Sequence, residues 1–298
     1  MEKIVVLMGG TSNEREVSLV SGKNIADALR SLGKYEVIPI DLKSDSLDEL
    51  PEHVDKVYIA LHGGWGENGG VQAALDTRRI PYTGPGAVAS QIAMDKVRTK
   101  RVLESKGVPT AKWVLAGSET ATCPLPLPVV VKPPCDGSSV GISKVTNEAE
   151  WKPALSAAFA SMHRGGDAAL VEEFIPGREM TVGVIDGVAL PVIEIVAPGG
   201  WYGYNEKYKS NETRYPFLEE SDLATELQKL AVDAYRAVGC RGVTRVDFRV
   251  STQGRCYVLE LNTSPGFTAH SLVPKAGMRT GLSFAGVCDR ILASAAHD

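Results

Sequence analysis

Two segments near the end of the chain carry its densest set of chemically useful side chains. Val243 to Val250 (VTRVDFRV) alternates Arg245 and Asp247 with apolar Val246 and Phe248, and Cys256 to Asn262 (CYVLELN) brings Glu260 and Asn262. In a strand, residues two apart share a face. A turn over Ser251 to Arg255, centred near Gln253 and Gly254, sets Asp247 opposite Glu260 and Arg245 opposite Asn262. Side chains so placed lie within about 5 Å of one another. Two carboxylates and an amide are hard oxygen donors of the kind that hold Mg²⁺, an ion that usually also takes phosphate oxygens. The plainer alternative is an exposed face with a cross-strand ion pair. Against it, the other face (Val246, Phe248, Leu259, Leu261) is apolar, and the chain then bends at Ser264-Pro265-Gly266. The polar residues form one cluster.

A second set begins at Lys132, which ends the apolar run Val129 to Val131 and precedes a loop with Gly137, Ser138, Ser139 and Gly141. A lysine and backbone N–H donors suit a phosphate clamp. The same loop reads literally as G-x-S-x-G, with Asp247 and His270 following in hydrolase order. That elbow requires a helix directly after the serine, whereas the residues here predict a strand, Val140 to Val145. Gly64-Trp-Gly66-Glu-Asn-Gly69 is a formal dinucleotide fingerprint, but Pro81 to Gly86 lacks the acidic residue such a site needs. No G-x-x-x-x-G-K-[ST] occurs, so a P-loop is excluded. Thr11-Ser-Asn-Glu14 has the form of a capping box. Alternatively, Glu14 lies at the carboxyl edge of a parallel sheet, where ligands bind and where an acid could receive an ammonium. His62 ends a neighbouring strand at that edge. Taken singly, Lys96, Glu172, Glu173 and Glu179 read as surface charges.

The elements that must position these residues follow from periodicity. Apolar runs at Lys3 to Met8, Glu36 to Ile40 and Lys56 to Leu61, separated by a helical pattern over Val17 to Leu29, predict a buried parallel sheet. Val71 to Arg78 and Val88 to Lys106 predict helices. Strand, loop, strand, helix (Glu148 to His163) and strand (Ala168 to Glu173) predict a compact α+β unit. Strands at Met180 to Ile185 and Ala189 to Ile195, a helix at Ala224 to Val238 and the hairpin complete the pattern. The loop from about Pro198 to Glu220 has the length of a lid or binding loop.

The 298 residues suggest about two domains. With 44% apolar and 23% charged residues, the composition excludes disordered, collagenous and coiled-coil classes. Net charge is −4 and no cationic run exists, which argues against nucleic acid. No apolar stretch approaches a membrane span or a signal peptide. Five scattered cysteines without a C-x-x-C pair point to a reducing, cytoplasmic compartment.

Taken together, the motifs resemble those of the D-alanine–D-alanine ligases of the ATP-grasp superfamily over essentially the whole chain. The segments that carry the resemblance are Gly9-Gly-Thr-Ser-Asn-Glu-Arg-Glu-Val-Ser18, Ala60-Leu-His-Gly63 with Gly66-Glu-Asn-Gly69, and Met94-Asp-Lys96. They continue with Val131-Lys-Pro133, Gly137-Ser-Ser-Val-Gly141, Glu206-Lys-Tyr208, Arg245-Val-Asp247, Glu260-Leu-Asn-Thr-Ser-Pro-Gly266 and Ser271-Leu-Val-Pro-Lys275. The resemblance implies a three-domain fold of mixed α/β and α+β class. Its parts would be an N-terminal parallel-sheet domain over 1–92, a small nucleotide-clamping domain over 93–175 and a C-terminal catalytic domain over 176–298.

It also implies a reaction in which ATP phosphorylates one D-alanine and the amine of a second attacks the acyl phosphate. The cell-wall dipeptide, ADP and phosphate would be the products. By resemblance, Lys96 and Lys132 meet the ATP phosphates, with Ser138 and Lys207 also on the nucleotide. Glu172, Glu173, Phe174 and Ile175 line the adenosine and Glu179 meets the ribose. Asp247, Glu260 and Asn262 become ligands of two Mg²⁺, with the choice between Mg²⁺ and Mn²⁺ and activation by a monovalent cation such as K⁺ left open by the sequence. Arg245 and the N–H of Gly266 face the oxyanion, and Glu14 holds the first D-alanine's ammonium, with His62 nearby. Ser271 and Leu272 position the second D-alanine, and Ser138 and Tyr208 join Glu14 in a hydrogen-bonded set. A homodimer is a family expectation.

Tyr208 points to the dipeptide, because D-lactate-using relatives carry phenylalanine there. Gly203, Asn205 and Arg214-Tyr-Pro-Phe-Leu218 depart from the family's lid and leave open an ATP-grasp ligase with another amino-acid substrate. A nucleotide-binding protein without turnover would be expected to lack Arg245 or a metal ligand, and all are present.

Overall fold

A computed structural model describes residues 1–135, 140–162, 166–200 and 212–298. The first sheet is parallel, with β1 (Glu2–Gly9) between β2 (Tyr35–Leu42) and β3 (Lys56–Ile59). Both faces are covered, as parallel sheets require. Helix α1 (Arg15–Ser31) sends Ile25, Ala26 and Leu29 against Ile4 and Val6. On the other face, Val71 and Leu75 of α2 (Gly70–Thr77) meet Val5 and Leu7.

The second sheet is antiparallel, in the order β4-β7-β5-β6, from β4 (Trp113–Ala116), β5 (Val129–Lys132), β6 (Ser143–Val145) and β7 (Ala169–Glu173). Helix α5 (Trp151–Ser161) covers it through Trp151, Leu155 and Ala158. The next element described after β5 is its antiparallel partner β6, a strand where the elbow of a hydrolase is followed by a helix.

The central sheet is also antiparallel. It contains β8 (Gly177–Ile185), β9 (Val188–Ala189), β10 (Ile193–Ile195), β11 (Val243–Ser251) and β12 (Cys256–Asn262), in the order β10-β8-β11-β12 with β9 on β8. Its core takes Ala89 and Ala93 of α3 (Ala87–Met94), Leu103 of α4 (Lys96–Ser105), and Leu227 and Ala231 of α6 (Asp222–Val238). The expected boundary between 92 and 93 therefore falls inside a helix that shares the central core. The fold is of mixed α/β and α+β class, with an N-terminal parallel sheet.

Several elements differ from the sequence reading. The single helix expected over Val88 to Lys106 is two, broken at Asp95, whose backbone is extended (φ −93°, ψ 103°) and whose carboxylate caps the N–H groups of Val97 and Arg98. The break makes Lys96 the first residue of α4. The expected strand Ala189 to Ile195 is divided around Pro191, which has no N–H to give a ladder. Strand β4 and helices α7 (Leu272–Arg279) and α8 (Phe284–Ala293) were not expected. Helix α8 packs Val287, Cys288, Ile291 and Leu292 into the core under β1, and Ala296 pairs with Tyr82 through both backbone bonds, 3.0 and 3.2 Å. The end of the chain thus closes the first sheet. All five cysteines are free. No helix among the described residues is long and apolar enough to cross a membrane.

Strand β8 begins at Gly177, where φ is +144° and an added Cβ would lie 2.0 Å from the Val250 carbonyl oxygen. Gly177→Ala is therefore expected to cost at least about 1–3 kcal/mol from backbone strain alone, with a further cost for displacing β11. Thermal denaturation of the variant checks this, and an unchanged midpoint would contradict it.

Candidate active site

The β11–β12 hairpin closes by a bond from Ser251 N to Arg255 O (2.8 Å), and Val250 pairs with Cys256. In that register Asp247 would face Leu259. The ladder shifts by one residue between Asp247 and Phe248, so that Phe248 pairs with Val258 and Asp247 with Glu260. Bulges of this kind re-aim side chains beside functional sites. Here the bulge brings the two carboxylates opposite each other and Arg245 opposite Asn262. Leu259, expected on the apolar face beside Leu261, is the residue left over and is only half-buried.

Arg245 grips Asp247 in a fork, Nε to Oδ1 at 2.9 Å and Nη2 to Oδ2 at 2.7 Å, and Thr181 Oγ1 donates to the same carboxylate at 2.6 Å. Asn262 is oriented by the Ser264 N–H, which donates to Oδ1 at 3.2 Å. Among the described residues, no group of three or more His, Cys, Asp or Glu could hold a metal. A metal here would draw on two carboxylates and an amide. That all-oxygen set fits Mg²⁺ when phosphate oxygens complete its shell.

Cations approach this cluster from two sides. Lys96, buried at the start of α4, has its Nζ 3.8 Å from Glu260, and its backbone N–H donates to Pro134 O at 2.9 Å. Lys132, at the end of β5, is ion-paired with Glu172 of β7. Burial alone would raise the Glu172 carboxyl, but two ammoniums outweigh it and hold the pKa down at about 2. Burial lowers the Lys132 pKa, yet Glu172, Glu260 and Glu179 together raise it. Both groups stay charged at neutral pH.

Glu173, by contrast, is exposed. Phe174 lies with Lys144 Nζ 3.9 Å and the Arg249 guanidinium 5.4 Å from its ring centroid, and Ile175 is buried. Arg249 also donates to Ile175 O (3.1 Å), Gly177 O (3.0 Å) and Glu179 Oε2 (3.3 Å). Burial pushes the Glu179 carboxyl up to about 7, reinforced by Asp247 and Glu260 and opposed by Arg249.

The third group lies at the carboxyl edge of the parallel sheet. Glu14 is the N-cap residue of α1 and makes no side-chain cap bond, so the expected capping box is absent. Its place is taken by Ser12, whose hydroxyl donates to His62 O (2.5 Å) and accepts from Glu14 N (3.2 Å). His62 is buried, with Nδ1 2.9 Å from Ser264 O and Nε2 3.0 Å from Ser21 Oγ. A carbonyl only accepts, so Nδ1 carries a proton, and Nε2 shares a hydrogen bond with Ser21 Oγ. Ser21 Oγ in turn accepts from Phe267 N (3.1 Å). His62 thus pins the turn that contains Gly266 to α1. Ser271 Oγ accepts from Thr268 N (2.9 Å), and half-buried Leu272 follows it at the start of α7. Ser138, Lys207 and Tyr208, with Gly203 and Asn205, lie outside the described residues.

Two family models match the chain: "D-ala D-ala ligase N-terminus" over residues 3–49 and "D-ala D-ala ligase C-terminus" over residues 102–293. The chain belongs to the D-alanine–D-alanine ligase family. A D-alanine–D-alanine ligase of Bordetella petrii is 46% identical over 99% of this chain and 92% of its own. That of Syntrophotalea carbinolica is 47% identical over 99% and 96%. The crystal structure of the Bacillus anthracis ligase complexed with ATP superposes with a TM-score of 0.84 at 30% identity, covering 99% of this chain and 97% of that one.

Three residues beside the site, Arg249, Thr181 and Lys100, carry no functional reading in the sequence. Arg249 continues the alternation of Arg245 and Asp247 and could have been found from it. Thr181, beside Asp247 across β8–β11, is an ordinary strand threonine in sequence. Lys100 sits one helical turn beyond Lys96, a spacing that places both on one face but names no partner.

Proposed function

We propose that the protein joins two D-alanine molecules to D-alanyl-D-alanine at the expense of ATP, through an acyl phosphate. The observation that carries this reading is the convergence of Arg245, Asp247, Glu260 and Asn262 of one hairpin with Lys96 from the start of α4. Phosphoryl transfer demands positioning and charge neutralisation more than a protein nucleophile. A site built of fixed cations facing carboxylates supplies both.

Lys96 and Lys132 hold the ATP phosphates, with Lys207 and Ser138 joining them. Adenosine lies along the backbone of Glu172 to Ile175, flanked by Glu173 and Phe174, and Glu179 takes the ribose. Asp247, Glu260 and Asn262 are the residues that would hold Mg²⁺, or Mn²⁺ in its place, and the metal when bound supplies positive charge against the triphosphate. Arg245 and the Gly266 N–H stabilise the oxyanion that develops when the second amine attacks, as fixed donors do. Glu14 receives the ammonium of the first D-alanine, and His62 holds the Gly266 turn in register with it. Ser271 and Leu272 position the second D-alanine, and Tyr208 closes the set with Ser138. A cytoplasmic homodimer making a peptidoglycan precursor completes the reading.

The test is phosphate release from Mg-ATP with D-alanine, L-alanine, D-lactate or no acceptor. Release should depend on D-alanine and yield the dipeptide. Equal release without amino acid, or a preference for L-alanine, would overturn the proposal.

A further inference from the structure

Lys100 lies in α4, one turn after Lys96, and is only 1% exposed. A lysine this deep is costly unless its charge is compensated. Its Nζ is 2.6 Å from Glu172 Oε1 and also donates to Thr110 Oγ1 (2.6 Å) and Ala111 O (3.2 Å). Two of its ammonium hydrogens thus have acceptors within the protein, and the Glu172 carboxylate balances its charge. Glu172 is 2% exposed, and its second oxygen pairs with Lys132. The buried set is two cations on one carboxylate, a net charge of +1.

We propose that Lys100 is a positioning residue for the nucleotide: it holds the Glu172 carboxylate so that the Lys132 ammonium can leave it for a phosphate oxygen. This rests on the reading of Lys132 as a phosphate-binding residue. With Lys100 in place, Glu172 keeps a counter-ion when Lys132 departs. Without it, the departure strands a buried carboxylate, which is strongly unfavourable, and Lys132 stays where it is. The neighbours fit this division of labour. Lys100 is fixed by Thr110, whose hydroxyl also donates to Val258 O of β12 (3.0 Å), and by the Ala111 carbonyl. Lys132 has Glu172 as its one ion-pair partner among the described residues. Lys100 therefore belongs to the frame, and Lys132 is the member able to move.

The experiment is a double-variant cycle on the full-length protein, reading the ATP Kd by calorimetry and the melting temperature of each variant. Lys100→Met should weaken ATP binding at least about tenfold. Lys100→Gln, which keeps hydrogen-bond donors but loses the charge, should do the same and serves if the methionine variant fails to fold. The decisive result is the sign of the interaction. Adding Glu172→Gln to either Lys100 variant frees Lys132 and should restore affinity at least about threefold over that variant alone. Additive losses in the double variant, or a lower melting temperature with ATP affinity unchanged, would overturn the proposal. Failure of the parent protein to bind ATP would instead overturn the functional reading beneath it.

Discussion

Asp247→Asn should lower turnover by at least about 10³-fold, the scale of lost charge stabilisation at a phosphoryl-transfer site, while the protein still folds. Asparagine has the shape of aspartate and can still accept the Thr181 hydroxyl, now at 2.6 Å. It gives up the anionic oxygens that face Glu260 across the ladder and that would face a metal. The stability change should be small for a second reason. Asp247 and Glu260 both push up the carboxyl pKa of Glu179, so removing one of the three charges relieves repulsion as it breaks the Arg245 pair. D-alanine-dependent phosphate release, measured beside circular dichroism and melting temperature, checks both halves. More than a tenth of parental turnover would remove Asp247 from the metal site.

Arg245→Lys should lower kcat by about 10² to 10³, comparable to deleting one fixed oxyanion donor, with KM for ATP within about threefold of the parent. Arginine holds Asp247 through two parallel bonds of 2.9 and 2.7 Å. A lysine ammonium is a flexible point charge and cannot reproduce that fork. The substitution keeps the net charge and changes only the direction of the donors. A steady-state comparison of kcat and KM separates this from a binding role. If kcat is retained while KM for ATP rises more than tenfold, Arg245 acts on the nucleotide and not on the oxyanion.

Much of the site was legible because its information is local. Strand alternation put Arg245 and Asp247 on one face, and the turn residues brought Glu260 and Asn262 opposite them. The pairing came out right through two cancelling departures: the hairpin closes one register earlier than assumed, and the bulge at Leu259 restores it. Nothing in CYVLELN announces a bulge, since the advantage of one lies in the position of Asp247 on the other strand. Asp95 was hidden for a related reason. An aspartate within a helical pattern looks like any solvated acid, and only the extended backbone shows it to be a cap.

His62 shows a different limit. Sequence put it at the ligand edge, whereas both ring nitrogens have protein partners 202 and 41 residues away. Long-range hydrogen bonds leave no trace in spacing. Lys100 and Glu172 are the same case, joined only when α4 and β7 meet. The final two helices escaped because short amphipathic segments near the end of a chain resemble a solvated tail until their partners are known.

Those last residues govern when the molecule can fold. The first sheet is made early, yet Ile4 and Val6 share a core with Val287, Ile291 and Leu292, and Tyr82 finds its backbone partner in Ala296. Domains generally fold as units during synthesis, but this one must wait. While the middle two hundred residues are translated, the face of α1 that α8 will cover stays open to water. The nascent chain therefore carries an exposed apolar face through this stretch of synthesis, and its need of chaperone shelter lasts until α8 emerges.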